Sequence, residues 1–320
     1  MITSMFRVSC WALVVSISLL ACKNKASKNP DGGKKTATTT ASLDSAALIN
    51  DLAYLSSGAL EGRETGKPGN ALARKYISHL FDSLELKLPP NGRLQPFSVG
   101  KAKDTATGQN VIGIITGSTY PDQYYVISAH YDHLGKKGDN LFFGADDNAS
   151  GSACLLALAR YFRQHQPKHS LILASFDAEE KGLVGSRYFV KNMPVESAQV
   201  LLNVNMDMIS RNDKNEIYAS GTYHNPFLKK YIDSIRLTTP LTVSFGHDTP
   251  NSGHDDWTSQ SDHLPFHQAK IPYLYFGVED HPDYHKPTDS FEKVNKEFYY
   301  RVCEMIKSTI VLLDSQGKLQ

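Results

Sequence analysis

The stretch "LILASFDAEEKGLVGS", residues 171–186, is an apolar run that stops on two adjacent acids, Glu179 and Glu180. The run has the length and composition of a buried strand. Carboxylates placed side by side at its end repel one another and lose hydration, so a compensating group is required. A cation is the compensation this pattern suggests. Consecutive side chains leaving a strand point in different directions. One Glu can therefore ligate a metal while its neighbour faces a water molecule as general base. Taken alone, the stretch also fits a pair of solvated acids opening a loop toward Lys181.

Working outward, similar apolar runs occur at 110–116 (NVIGIIT), 124–130 (YYVISAH), 200–207 (VLLNVNMD) and 271–278 (IPYLYFGV). Helix-length segments lie at 70–86, 150–166 and 296–315. Strands bounded by amphipathic helices predict an α/β fold of three layers, α/β/α, with a central mixed, largely parallel sheet covered on both faces. In such sheets ligands bind beyond the carboxyl ends of the strands. Chemically demanding residues fall there: His130 and Asp132 after one strand, Glu179 and Glu180 after another, Asp207 at the end of a third, and His285 after the last. Asp146 and Asp147 stand directly before a helix start.

The spacing gives several of these residues a role. His130 and Asp132 share a face at a strand end, so the Asp can accept the imidazole N–H that a metal does not use. His133 is assigned to the adjoining loop. In "GADDNASG", Ser150 or Asn148 suffices to cap the helix, which leaves the acids unexplained, and Asp147 is placed as a carboxylate bridging two cations. Asp207 lies inside an apolar run, where an unpaired carboxylate is costly and metal is the expected partner. His285 gains its weight from the rest of the set. Two imidazoles and three ligating carboxylates suit zinc or a similar divalent ion.

At the amino end, Arg7 precedes an uncharged apolar core, Val8 to Ala21, too short to span a membrane comfortably and suited to an export signal. Leu19, Leu20 and Ala21 before Cys22 resemble a lipobox, so residues 1–21 are expected to be a lipoprotein signal peptide, with lipidation at Cys22 and anchoring to a bacterial membrane of the cell envelope. Residues 22–44 are mostly small and polar and are expected to be a flexible tether. Residues 45–320 then form one catalytic domain. With 34 basic and 33 acidic residues, nothing in the charge argues for nucleic acid. Cys154 and Cys303 lie in helical apolar patterns, where buried thiols are the ordinary reading and a disulfide stays open. Trp257, in the loop 247–260, is expected to cap that loop rather than line a pocket.

The motifs "AHYDHLG", "GADDNASG", "FDAEEKGLVGS", "NMDMI" and "YHKPTDS", in this order, resemble those of the secreted dinuclear zinc aminopeptidases of metallopeptidase family twenty-eight. The likeness extends from "LEGRETGKPGNALARKYI" to "SDHLPFHQAKIPYLYF", over nearly all of 45–315. It implies the zinc exopeptidase fold and two Zn2+ ions, one held by His130 and Asp207 and the other by Glu180 and His285, with Asp147 bridging. Glu179 becomes the general base, Asp132 the partner of His130, and Tyr284 the stabiliser of the oxyanion. A cis peptide is implied between Asp147 and Asn148. Peptides are the implied substrates, cut from the amino end. The element "SDHLPF" (261–266) also resembles one in glutaminyl cyclases of the same fold, which makes a cyclase the alternative enzyme. A peptide-binding lipoprotein that has lost its chemistry is the non-enzymatic alternative, and it should lack a ligand or the base.

Overall fold

The computed structural model describes residues 41–100, 105–317 and 319. The expected signal peptide, Cys22 and most of the expected tether lie outside the described residues. Residues 41–44 of that tether are packed. Leu43 is buried, its N–H donates to Glu304, and Lys307 Nζ donates to the Ala41 carbonyl at 2.8 Å. The folded unit thus reaches back before residue 45, because Leu43 supplies one apolar anchor in an otherwise polar segment.

In chain order the elements are α1 (Ser45–Leu55), α2 (Pro68–Ser83), β1 (Leu94–Val99), β2 (Ala106–Ile115), β3 (Tyr120–His130), β4 (Lys136–Lys137), β5 (Asn140–Leu141), α3 (Gly151–Gln164), β6 (His169–Phe176), α4 (Val184–Lys191), β7 (Val200–Met206), β8 (Glu216–Ser220), α5 (Lys229–Arg236), β9 (Thr242–Ser244), α6 (Leu264–Gln268), β10 (Tyr273–Gly277) and α7 (Lys296–Asp314). Eight strands form one sheet in the order β1-β2-β6-β3-β7-β10-β8-β9. The four central strands β6, β3, β7 and β10 run parallel, whereas β1, β2 and β8 join antiparallel to their inner neighbours. This is the expected mixed α/β sheet.

Alternation along the central strands divides the core. Tyr125, Ile127, Leu171, Leu173, Leu202 and Val204 face a large cluster built with α1, α2, α3, α5 and α7. On the opposite side Val126, Ile172, Ala174 and Phe176 pack against Phe189 of α4 and Phe266 of α6. Leu155, Leu156 and Leu158 of α3 are fully buried, each contributing roughly 1.5–3 kcal/mol. The three-layer arrangement aims the carboxyl ends of β3, β6, β7 and β10 at one side, and the chain's unusual chemistry is gathered there.

Candidate active site

His130, the last residue of β3, places Nε2 3.2 Å from Asp207 Oδ1 and 3.4 Å from Asp147 Oδ1. The other oxygen of Asp147, Oδ2, lies 3.1 Å from His285 Nε2, which is itself 3.4 Å from Glu180 Oε2. All five expected ligand residues therefore converge, and Asp147 turns one oxygen to each side. Ligand atoms of His130, Asp147 and Asp207 lie within 4.8 Å of one another, as do those of His133, Asp147 and Glu180. Imidazole nitrogens and carboxylate oxygens in two such groups match the donor preference of zinc. Glu180 Oε1 is buried without a hydrogen-bond partner, which is the open valence a cation would satisfy.

Buried hydrogen bonds orient these groups. Asp132 accepts from the backbone N–H groups of Glu179 (3.0 Å) and Glu180 (3.3 Å), so it pins the turn carrying both acids. His130 Nδ1 lies nearer the Asp132 carbonyl (3.2 Å) than its carboxylate (3.6 Å). The expected imidazole–carboxylate pairing is thus secondary to this backbone clamp. Asp207 Oδ2 accepts from Ser261 at 2.7 Å, and Ser261 accepts from Asn205, which accepts from Ser128. The peptide between Asp147 and Asn148 is cis. Asn148 rather than Ser150 caps α3, Oδ1 accepting from Gly151 N–H at 2.8 Å. Gly151 is required, since a Cβ there would sit 2.4 Å from the Met206 carbonyl oxygen. Asp146 is outside the cluster: it accepts from Ser210 and His281 and ties the loops together.

Glu179 follows Ala178, which lies in the left-handed region at φ 59°. Met208 (φ 58°), directly after Asp207, and His285 (φ 53°) share that conformation. Such residues cost about 1–3 kcal/mol each, and they concentrate where function demands it. Burial pushes the Glu179 carboxyl well above the ordinary range, opposed by His130 and reinforced by Asp262 and Asp207. Tyr284 stacks on His285 with ring centroids 4.0 Å apart. Burial, with Asp147 and Asp207 adding, pushes its hydroxyl far up, so it stays protonated.

Several residues of the site were not expected. His133 lies in the loop to which it was assigned, but it is buried there, with Nδ1 2.8 Å from Glu180 Oε1. The "HYDH" spacing was the available signal. Arg63 is fully buried and donates to the carbonyls of Leu55, Tyr131, Phe143 and Gly144, joining the segments that carry His130 and Asp147. Asp262 is buried near Glu179, and burial pushes its carboxyl to about 7. Tyr275 donates to the Asp207 carbonyl at 3.2 Å. Farther out, Trp257 stacks on His247 at 3.6 Å and packs its own loop, as expected. Cys154 and Cys303 are buried free thiols.

The family model described as "Peptidase family M28" matches residues 110–310. Aminopeptidase YwaD of Bacillus subtilis (strain 168) is 30% identical over 221 residues, which cover 66% of this chain and 46% of that protein. The chain therefore spans about half the length of this curated relative. A solved zinc aminopeptidase from Bacillus subtilis, BSAP, is similar with a TM-score of 0.66 at 17% identity, covering 84% of this chain and 94% of that one. A glutaminyl cyclase from Bacteroides thetaiotaomicron, bound to N-acetylhistamine, gives 0.67 at 17% identity, covering 85% and 99%. At these identities the likeness shows the fold, the expected three-layer α/β/α architecture.

Proposed function

Starting from the fact that the chain belongs to peptidase family M28, we propose that it is a zinc-dependent exopeptidase, an aminopeptidase that hydrolyses N-terminal residues from peptides at a two-zinc site. Asp147 carries this reading, with one carboxylate oxygen 3.4 Å from His130 and the other 3.1 Å from His285. His130 and Asp207 would hold one ion, Glu180 and His285 the other, and Asp147 would bridge.

Zinc bound there supplies Lewis acidity, lowering the pKa of water and polarising a carbonyl. Glu179, fixed by the Asp132 clamp on its backbone, takes the proton of the attacking water and returns it to the leaving amine. Tyr284 offers its O–H to the oxyanion as charge develops. A free amino terminus pairs with the carboxylates that crowd the site, which favours cleavage from that end. The buried Asp262 of "SDHLPF" favours the cyclase as the second reading, while the two-sided Asp147 favours hydrolysis. By its lipobox, the protein is exported and anchored through a lipid on Cys22. Fatty-acid labelling lost in Cys22→Ser tests that anchor.

The decisive assay is a panel of aminoacyl p-nitroanilides offered to chelator-stripped, zinc-restored protein, with Glu179→Gln alongside. We expect zinc-dependent release that falls about 10²–10⁴-fold in the variant at unchanged zinc content. No release from zinc-loaded wild type, with cyclisation of N-terminal glutaminyl peptides instead, would sink the aminopeptidase reading.

A further inference from the structure

We infer that His133 is a third imidazole ligand of the centre, directed through Nδ1 at the ion held between Asp147 and Glu180. Its side chain is fully buried, with Nδ1 2.8 Å from Glu180 Oε1 and 3.6 Å from Asp147 Oδ2. Despite that approach, neither ring nitrogen of His133 has a hydrogen-bond partner, and neither does Glu180 Oε1. A buried polar atom left unpaired costs about 1–3 kcal/mol, and here a nitrogen and a carboxylate oxygen are left so side by side. A ring nitrogen and a carboxylate oxygen this close, with Asp147 completing the group within 4.8 Å, are arranged as ligands of a common cation.

The ring is held in place independently of any ion. The His133 N–H donates to the Arg63 carbonyl at 3.3 Å. Gly144, at φ 57°, packs so closely on the ring that a Cβ there would sit 2.5 Å from His133 Cδ2. His285 reaches the same two carboxylates from an exposed segment, its side chain 39% accessible. The Asp147–Glu180 side thus has two imidazoles, one rigid and one exposed, whereas the Asp147–Asp207 side has His130 alone. Nitrogen donors suit zinc and neighbouring transition ions better than oxygen donors alone. The His133 side is therefore the tighter half and fills first.

This inference rests on the two-ion reading, and one experiment separates them. Metal-free wild type, His133→Gln and His133→Asn are titrated with Zn2+ by calorimetry, and zinc X-ray absorption counts the imidazoles. Near-ultraviolet circular dichroism of each metal-free protein checks the fold, the second variant serving where the first does not fold. Wild type should take two ions in two steps, sharing three imidazoles. The variants should share two, with the tighter step weakened at least 10–100-fold, the loss seen when even an outer partner of a ligand is removed. An unchanged tight step and an unchanged imidazole count overturn the role of His133. A wild type holding a single ion overturns the two-ion reading, and the same comparison on that ion still decides for or against His133.

Discussion

Arg63→Lys tests whether the site depends on the planar fork of a buried guanidinium that binds four backbone carbonyls. The guanidinium is 1% exposed and donates to Leu55 O at 2.5 Å and to Tyr131 O, Phe143 O and Gly144 O at 2.8 Å. Burial lowers its pKa to about 10, with Asp147 and Asp132 opposing, so it is charged at neutral pH. Hydrogen bonds from a charged group are worth about 1.5–3 kcal/mol each, but four sharing one side chain do not add. Disrupting a buried charged network by truncation costs about 3–5 kcal/mol, most of it from groups left unpaired. Lysine keeps the charge and loses the planar fork, and its three donors on one atom cannot span four carbonyls. The expected loss is thus about 3 kcal/mol for Arg63→Lys and about 3–5 kcal/mol for Arg63→Met. Urea unfolding of the metal-free proteins measures this, and zinc titration should show affinity down at least about tenfold as the His130 and Asp147 segments loosen. Arg63→Lys within about 0.5 kcal/mol of wild type, the range of a neutral surface change, with unaltered zinc affinity, would refute the reasoning.

Ser261→Ala removes the donor to Asp207 Oδ2. Zinc affinity should fall about 10-fold at the His130 side while Glu179-dependent chemistry persists, as equilibrium dialysis against competing chelator would show. Zinc should also stabilise the fold: free metal at 100 times its Kd contributes about 2.7 kcal/mol per ion. Chelation of a saturated sample should then lower Tm by at least about 5 °C in a calorimetric scan. A Tm indifferent to chelator would mean the buried acids carry no ion under those conditions.

The central strands were legible because each is a mostly apolar run that ends in a polar break, as "LILASFDAEE" does, even where β7 carries the buried Asn203 and Asn205. The edges were not. Strand β1 contains Pro96 and buries only Phe97 and Val99 fully, and β9 has three residues, so neither shows a strong period. Helices α4 and α6 owe their stability to Phe189 and Phe266 docking on the sheet, which local pattern does not reveal. Among the site residues, acids in apolar company were conspicuous. His133 was not, because an imidazole three residues past a strand end is equally at home in solvent. Its burial comes from Gly144 and Arg63, which reach it from elsewhere in the chain.

The adjacency of Glu179 and Glu180 now has a physical account. Asp132 accepts both backbone N–H groups, so the turn is gripped from behind and the two side chains diverge. Glu180 meets His133 and His285, which together hold its carboxyl below the ordinary range against burial and the nearby Asp147 carboxylate. Glu179 is left among burial, Asp262 and Asp207, with only His130 opposing, and its carboxyl rises. Adjacent acids with opposite shifts are the pattern expected of a ligand beside a base. Such a pair requires a clamp that is neither, because either Glu acting as its own anchor would lose the freedom to ligate or to carry a proton. That requirement explains why Asp132 spends its carboxylate mainly on the turn, and why His130 leans instead on the Asp132 carbonyl.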